Sequence, residues 1–108
     1  MEFYSHLYVG ESIKNSKHIV YKLTKGLVVK NKYIITLANG NDLLDIYDAR
    51  LFSQSHFKNF DRMIVGIAGS YDEALELVLC ILKETLDSRK DCNAKEYLIS
   101  NMIAERQE

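Results

Sequence analysis

Proline is absent from all 108 residues, so the chain has no proline-rich linker. It also lacks a low-complexity tract, an internal repeat and any apolar run long enough to span a membrane. The opening residues, MEFYSHLYVG, have neither the basic start nor the apolar centre of a signal peptide. The two cysteines, Cys80 and Cys92, show no metal-like spacing and need not pair. These absences set the expectation of a cytoplasmic protein with no membrane contact. The formal charge is only −1, so bulk electrostatics select no class of partner. Hydrophobic residues at 47% suit a single globular domain over residues 1–108 with its own core.

Acidic residues are missing from one long stretch. None stands between Glu11 and Asp42. Residues 1–41 hold six lysines and two glutamates, a net of +4, while residues 42–108 hold eight bases and thirteen acids, a net of −5.

What the chain does have is organised around residues 63–86, MIVGIAGSYDEALELVLCILKETL. The unbroken apolar run from Met63 to Ala68 predicts a strand covered on both faces. Gly66, inside it, marks a close approach of another group. Gly69 and Ser70 turn the chain. Ser70 is a good N-cap, and Glu73 three residues later completes a capping box by reaching back to the Ser70 N–H. Projected at ~100° per residue, the helix carries Leu75, Leu79, Leu82 and Leu86 with its other apolar residues in one arc of about 200°. That arc is wide enough for the sheet and a second helix. Cys80 alone falls in the polar arc.

Upstream, Phe3–Val9 alternates as a first strand, with Tyr4, His6 and Tyr8 on one face. Ser12 can cap a helix over 13–25, and Gly26 suits its C′ position. Asn39-Gly40 is the strongest turn signal and predicts a two-residue hairpin, with Ile35 opposite Leu44 and Tyr33 opposite Ile46. Asp48 can cap a short helix. Asn93 with Glu96 opens a last helix over 94–106. The order β-α-β-β-(α)-β-α-α predicts an α/β (α+β) two-layer sandwich: a mixed, mainly four-stranded sheet with both clean helices on one face.

The blocks HLYVGES, YIITLANG, LLDIYDA and IVGIAGSYDEALELV, in that order, resemble a family of small bacterial proteins of unknown function. The resemblance covers most of the chain. It implies a self-contained domain and names no activity and no catalytic residue.

No motif assigns catalysis, a cofactor or a metal. Asp42, Asp45 and Asp48 are spaced by three, which in a strand turns successive carboxylates to opposite faces. His6 is placed to approach Asp45 across the sheet, with no nucleophile beside them. The acidic neighbours of Cys80 argue against a reactive thiol. Gly69 and Ser70 form a strand-to-helix turn that can meet an anion, without the lysine or glycine spacing of a phosphate loop.

Two surfaces remain. Lys14, Lys17, His18, Tyr21, Lys22 and Lys25 share the outer arc of the first helix and can meet an acidic protein partner, or nucleic acid without sequence preference. The lack of arginine there argues against base readout. The second is a sheet face bearing Tyr4, Tyr8, Ile34, Leu43 and Tyr47, expected to form a homodimer. The C-terminal helix, or the segment around Phe52 and Phe57, is the competing cover. The first expectation is therefore a non-enzymatic interaction or structural domain that self-associates. The alternatives are a binder acting through the lysine helix and a small-ligand enzyme with a pocket near Gly69 and Ser70.

Overall fold

The computed structural model describes residues 2–38, 44–57, 60 and 62–106. Strands β1 (Phe3–Val9), β2 (Tyr33–Leu37), β3 (Leu44–Asp48) and β4 (Ile64–Ala68) form one mixed sheet in the order β1-β4-β2-β3. Helices α1 (Ser16–Thr24), α2 (Tyr71–Arg89) and α3 (Ala94–Arg106) complete an α+β fold in the expected element order.

The apolar run becomes the centre of the sheet. β4 pairs parallel with β1 and antiparallel with β2. Ile64, Val65, Ile67 and Ala68 are fully buried, because both faces of the sheet are covered. A Cβ on Gly66 would come within 3.1 Å of Ile35 Cδ1 and 3.2 Å of the Tyr8 carbonyl oxygen, so a side chain here would require the paired residues of β2 and β1 to give by a few tenths of an ångström.

The helices are distributed differently from the expectation. α2 lies over β4 and β2, with α3 beside it over β1. They bury Tyr4, Ile35, Val65, Ala74, Ile81 and Leu98 in one core. α1 packs Ile19 and Leu23 on the other side of the sheet, together with Ile34, Ile64, Ile67 and Phe52. The two clean helices, expected together on one face of the sheet, therefore lie on opposite sides of it.

Local signals set the helix ends, with two exceptions. Ser70 caps α2 and accepts from the Glu73 N–H at 3.1 Å, as expected. Asn93 accepts from the Glu96 N–H at 3.1 Å at the start of α3. α1 begins three residues later than its helical pattern: Asn15, not Ser12, is the N-cap and accepts from the His18 N–H. α2 ends on Lys90 in the left-handed region at φ 65°, where glycine is the usual choice.

β2 and β3 pair as an antiparallel hairpin, but two residues out of the expected register. Ile35 faces Ile46, and Leu37 faces Leu44. The shift is even, so Tyr33, Ile35, Leu44 and Ile46 keep their common face. The Asn39-Gly40 turn and its nearest pairs lie outside the described residues.

Candidate interaction surfaces

The strand-to-helix turn at Gly69 and Ser70 is filled from within. Glu73 Oε1 accepts from the Gly69 N–H at 2.7 Å and from the Ser12 hydroxyl at 2.7 Å. Glu73 Oε2 accepts from the Ser12 N–H at 3.2 Å. The carboxylate thus bonds Gly69 rather than the expected Ser70 N–H, and stands where an external anion would have to sit. It also ties the β1–α1 connection to the start of α2. The Gly69 N–H and then the Ser12 hydroxyl are the main causes that hold its carboxyl below the ordinary 4.5.

The sign of the resulting pH dependence is fixed. A depressed folded-state pKa contributes stability above 4.5, and that contribution is lost as pH falls through the folded value. Glu73→Gln is therefore expected to flatten the acid limb of the melting curve, measured from pH 7 down to about pH 3. An acid limb unchanged in the variant would show that this carboxylate contributes no linkage.

The other titratable candidates are engaged or separated. His6 and Asp45 stand on β1 and β3, the two edges of the sheet, and do not form an acid–base pair. Asp45 pairs with Arg62 at 2.9 Å, and Asp48 with Arg50 at 2.8 Å; Asp42 lies outside the described residues. No group of three possible metal ligands occurs among the described residues. The Tyr8 hydroxyl donates to Glu84 Oε1 at 2.8 Å. Burial first, and then this carboxylate, push its pKa far above that of a free phenol, so Tyr8 stays protonated as a donor. Tyr97 donates to the same oxygen at 3.3 Å. Glu84 lies 76 positions from Tyr8, and no local sequence pattern joins them.

The expected dimer face does not exist as one surface. Tyr4 is buried under α2 and α3, and Tyr8 packs with it. Ile34 is buried on the opposite side, where Tyr47 packs among Phe52, Phe57 and Phe60 at 5.9–6.0 Å between ring centroids. Leu43 lies outside the described residues. The physical reason is parity: a strand's facing is fixed by its pairing register, and one residue of slip exchanges its faces. β1 carries such an irregularity. Phe3 pairs with Ile64 and Tyr8 with Gly66, so five steps along β1 match two along β4. The competing cover, the segment around Phe52 and Phe57, is the one that closes this side, together with α1. Arg62 completes it, with its guanidinium over Tyr47 and Phe60 at 5.4 and 5.0 Å.

The lysines expected on the outer arc of one helix over 13–25 are placed by a helix that starts at Ser16, so Lys14 precedes it. Lys14, Lys17, His18, Tyr21 and Lys25 are exposed along α1 and its flanks, and Lys22 is half-buried at the edge. Lys25 Nζ stands 6.0 Å from the centre of the Tyr21 ring. Ile19 and Leu23 point the opposite way, into the core. Beyond the C-terminal end of α1 a half-open pocket of about 320 Å³ is floored by Leu23, Phe52 and Phe57 and rimmed by Lys25, Ser53 and Gln54.

A second surface was only half legible. Tyr71, Leu75, Leu79 and Leu86 are 41–65% exposed. At 100° per residue they fall in one strip along α2, and the half-buried Leu82 lies within it. Tyr97 of α3 meets Glu84, which puts α3 on the other flank of α2. The strip faces the β3 side of the sheet, where Tyr71 packs edge-on against Tyr33 at 5.8 Å. Leu44 and Ile46 of the edge strand are half-buried on the same face. The wide apolar arc signals this strip in the sequence; the flank that α3 takes was not encoded locally.

No family model, curated protein or solved structure matches the chain.

Proposed function

We propose that the chain is a non-enzymatic interaction domain that binds a second copy of itself through the α2 strip of Tyr71, Leu75, Leu79 and Leu86. The observation that carries this is the strip itself. Four large apolar side chains aligned on one helix form a continuous exposed patch, and patches of that kind mark association sites. A second copy is the occupant because the polar border of the strip complements itself. Antiparallel pairing of two α2 helices, centred near Leu79, sets Glu76 of each protomer beside Lys83 of the other. Both residues are exposed. The same pairing brings Asp72 near Asp87 at each end, which weakens it. Together with the short strip, this sets the expected affinity at about micromolar. Cys80 and Cys92 are both free and exposed, in keeping with a reducing, cytoplasmic setting.

Light scattering and sedimentation at ~100 μM test the reading. The wild-type protein is expected to be a dimer. Leu79→Glu is expected to give a monomer that still melts cooperatively, since an exposed substitution costs the fold only about 0.5 kcal/mol. Lys83→Glu should weaken the dimer, and Asp87→Lys should strengthen it. A wild-type chain that stays monomeric, or a dimer indifferent to Leu79→Glu, would refute the reading.

A further inference from the structure

We propose that the outer face of α1 and the pocket at its C-terminal end form one docking site for an acidic protein segment carrying a single apolar anchor residue. This is independent of self-association, which uses the opposite side of the sheet.

Charge complementarity identifies the partner. Lys17 and Lys25 stand exposed on the outer face of α1 and Lys14 is exposed just before it, and none of them makes an ion pair with another described residue. The surrounding stretch has no acidic residue between Glu11 and Asp42, so no carboxylate within the helix itself offsets them. From Lys17 to Lys25 the helix rises ~12 Å, about four residues of an extended peptide.

The pocket supplies the anchor point, and Lys25 belongs to both parts of the site. Its floor of Leu23, Phe52 and Phe57 is apolar, and its volume of about 320 Å³ accepts one large side chain. It lies at the C-terminal, negative end of α1, which disfavours a carboxylate inside it. The acidic residues of the partner therefore align along the lysines, and its apolar residue enters the pocket. An apolar anchor in a pocket, with a charged border, is the usual energetic layout of a peptide contact.

A protein segment fits better than nucleic acid. The face has no arginine for a bidentate contact to base or phosphate. Its exposed aromatic ring, Tyr21, is approached by Lys25 and does not offer a clear platform for base stacking.

The test is fluorescence anisotropy with three labelled probes: an acidic nonapeptide of Glu and Asp with one central Phe, the same peptide with Ala for Phe, and a single-stranded oligonucleotide of equal charge. The Phe peptide is expected to bind at least tenfold more tightly than the Ala peptide. Combined Lys14→Glu, Lys17→Glu, Lys22→Glu and Lys25→Glu should abolish binding of both peptides; should that variant not fold, Lys17→Glu with Lys25→Glu should reduce it at least tenfold. Gln54→Trp, which fills the pocket, should bring the Phe peptide down to the level of the Ala peptide. Equal binding of the two peptides, peptide binding that survives the lysine reversals, or tighter binding of the oligonucleotide would each overturn the proposal. So would a wild-type protein that binds no probe at ~100 μM.

Discussion

Val65→Asp is expected to leave the purified chain without a cooperative melting transition. Val65 is fully buried in the central strand, in the core formed with Tyr4, Ile35, Ala74, Ile81 and Leu98. A carboxylate there loses its water and gains no cation, because the side chains around it are apolar. Leaving a charged group unpaired in such a place costs several kcal/mol, even when it protonates instead. The lost burial of an aliphatic side chain adds about 1.5–3 kcal/mol. A chain of this size has about 5–15 kcal/mol of stability in total, so most or all of it is consumed. Val28→Asp is the control: Val28 is 48% exposed, and the same chemical change there should shift stability by only about 0.5 kcal/mol. Scanning calorimetry of both variants decides the matter. A cooperative transition for Val65→Asp near that of the wild type would mean that β4 is not the centre of the fold.

Features that depended on neighbours in sequence were legible, and features that depended on distant partners were not. The apolar run of β4 and the Ser70 cap of α2 are local, and both stand as expected. Ser12 carries an equally good local cap signal, yet its hydroxyl is claimed by Glu73, 61 positions away, and the cap passes to Asn15. The faces of β1 relative to the hairpin depend on which strand it joins and with what irregularity, and a single sequence does not fix that parity. This is why Tyr4 and Ile34, grouped on one face by alternation, are buried on opposite sides. The breadth of the α2 arc was visible, as was the need for a second helix against it. That helix, α3, covers the Glu84 flank and leaves Leu75, Leu79 and Leu86 exposed. The candidate self-association surface thus follows from a local pattern, and its exposure from tertiary placement.

Gly10→Ala should destabilise the protein by about 1–3 kcal/mol, and most of that cost should vanish when Glu73 is already alanine. A Cβ on Gly10 would lie 2.0 Å from Glu73 Oε1 and 2.3 Å from its carboxyl carbon. A free glutamate would simply swing away. This one is held by the Gly69 N–H and by both the N–H and the hydroxyl of Ser12, so moving it breaks all three bonds. The Gly10 N–H also donates to the Ile67 carbonyl at 2.9 Å, which keeps this backbone against β4 and limits its own retreat. In Glu73→Ala the bonds are already lost and the space beside Gly10 is open, so the added methyl has nothing left to displace. The double variant should therefore be about as stable as Glu73→Ala alone, giving a coupling of about 1 kcal/mol or more. For a chain of this length, Gly10→Ala alone should lower the Tm by roughly 5–20 °C. Urea denaturation of the wild type, both single variants and the double variant measures the cycle. Strictly additive losses would show that Gly10 and Glu73 act separately, and that the β1–α1 connection is held to α2 by something other than this carboxylate.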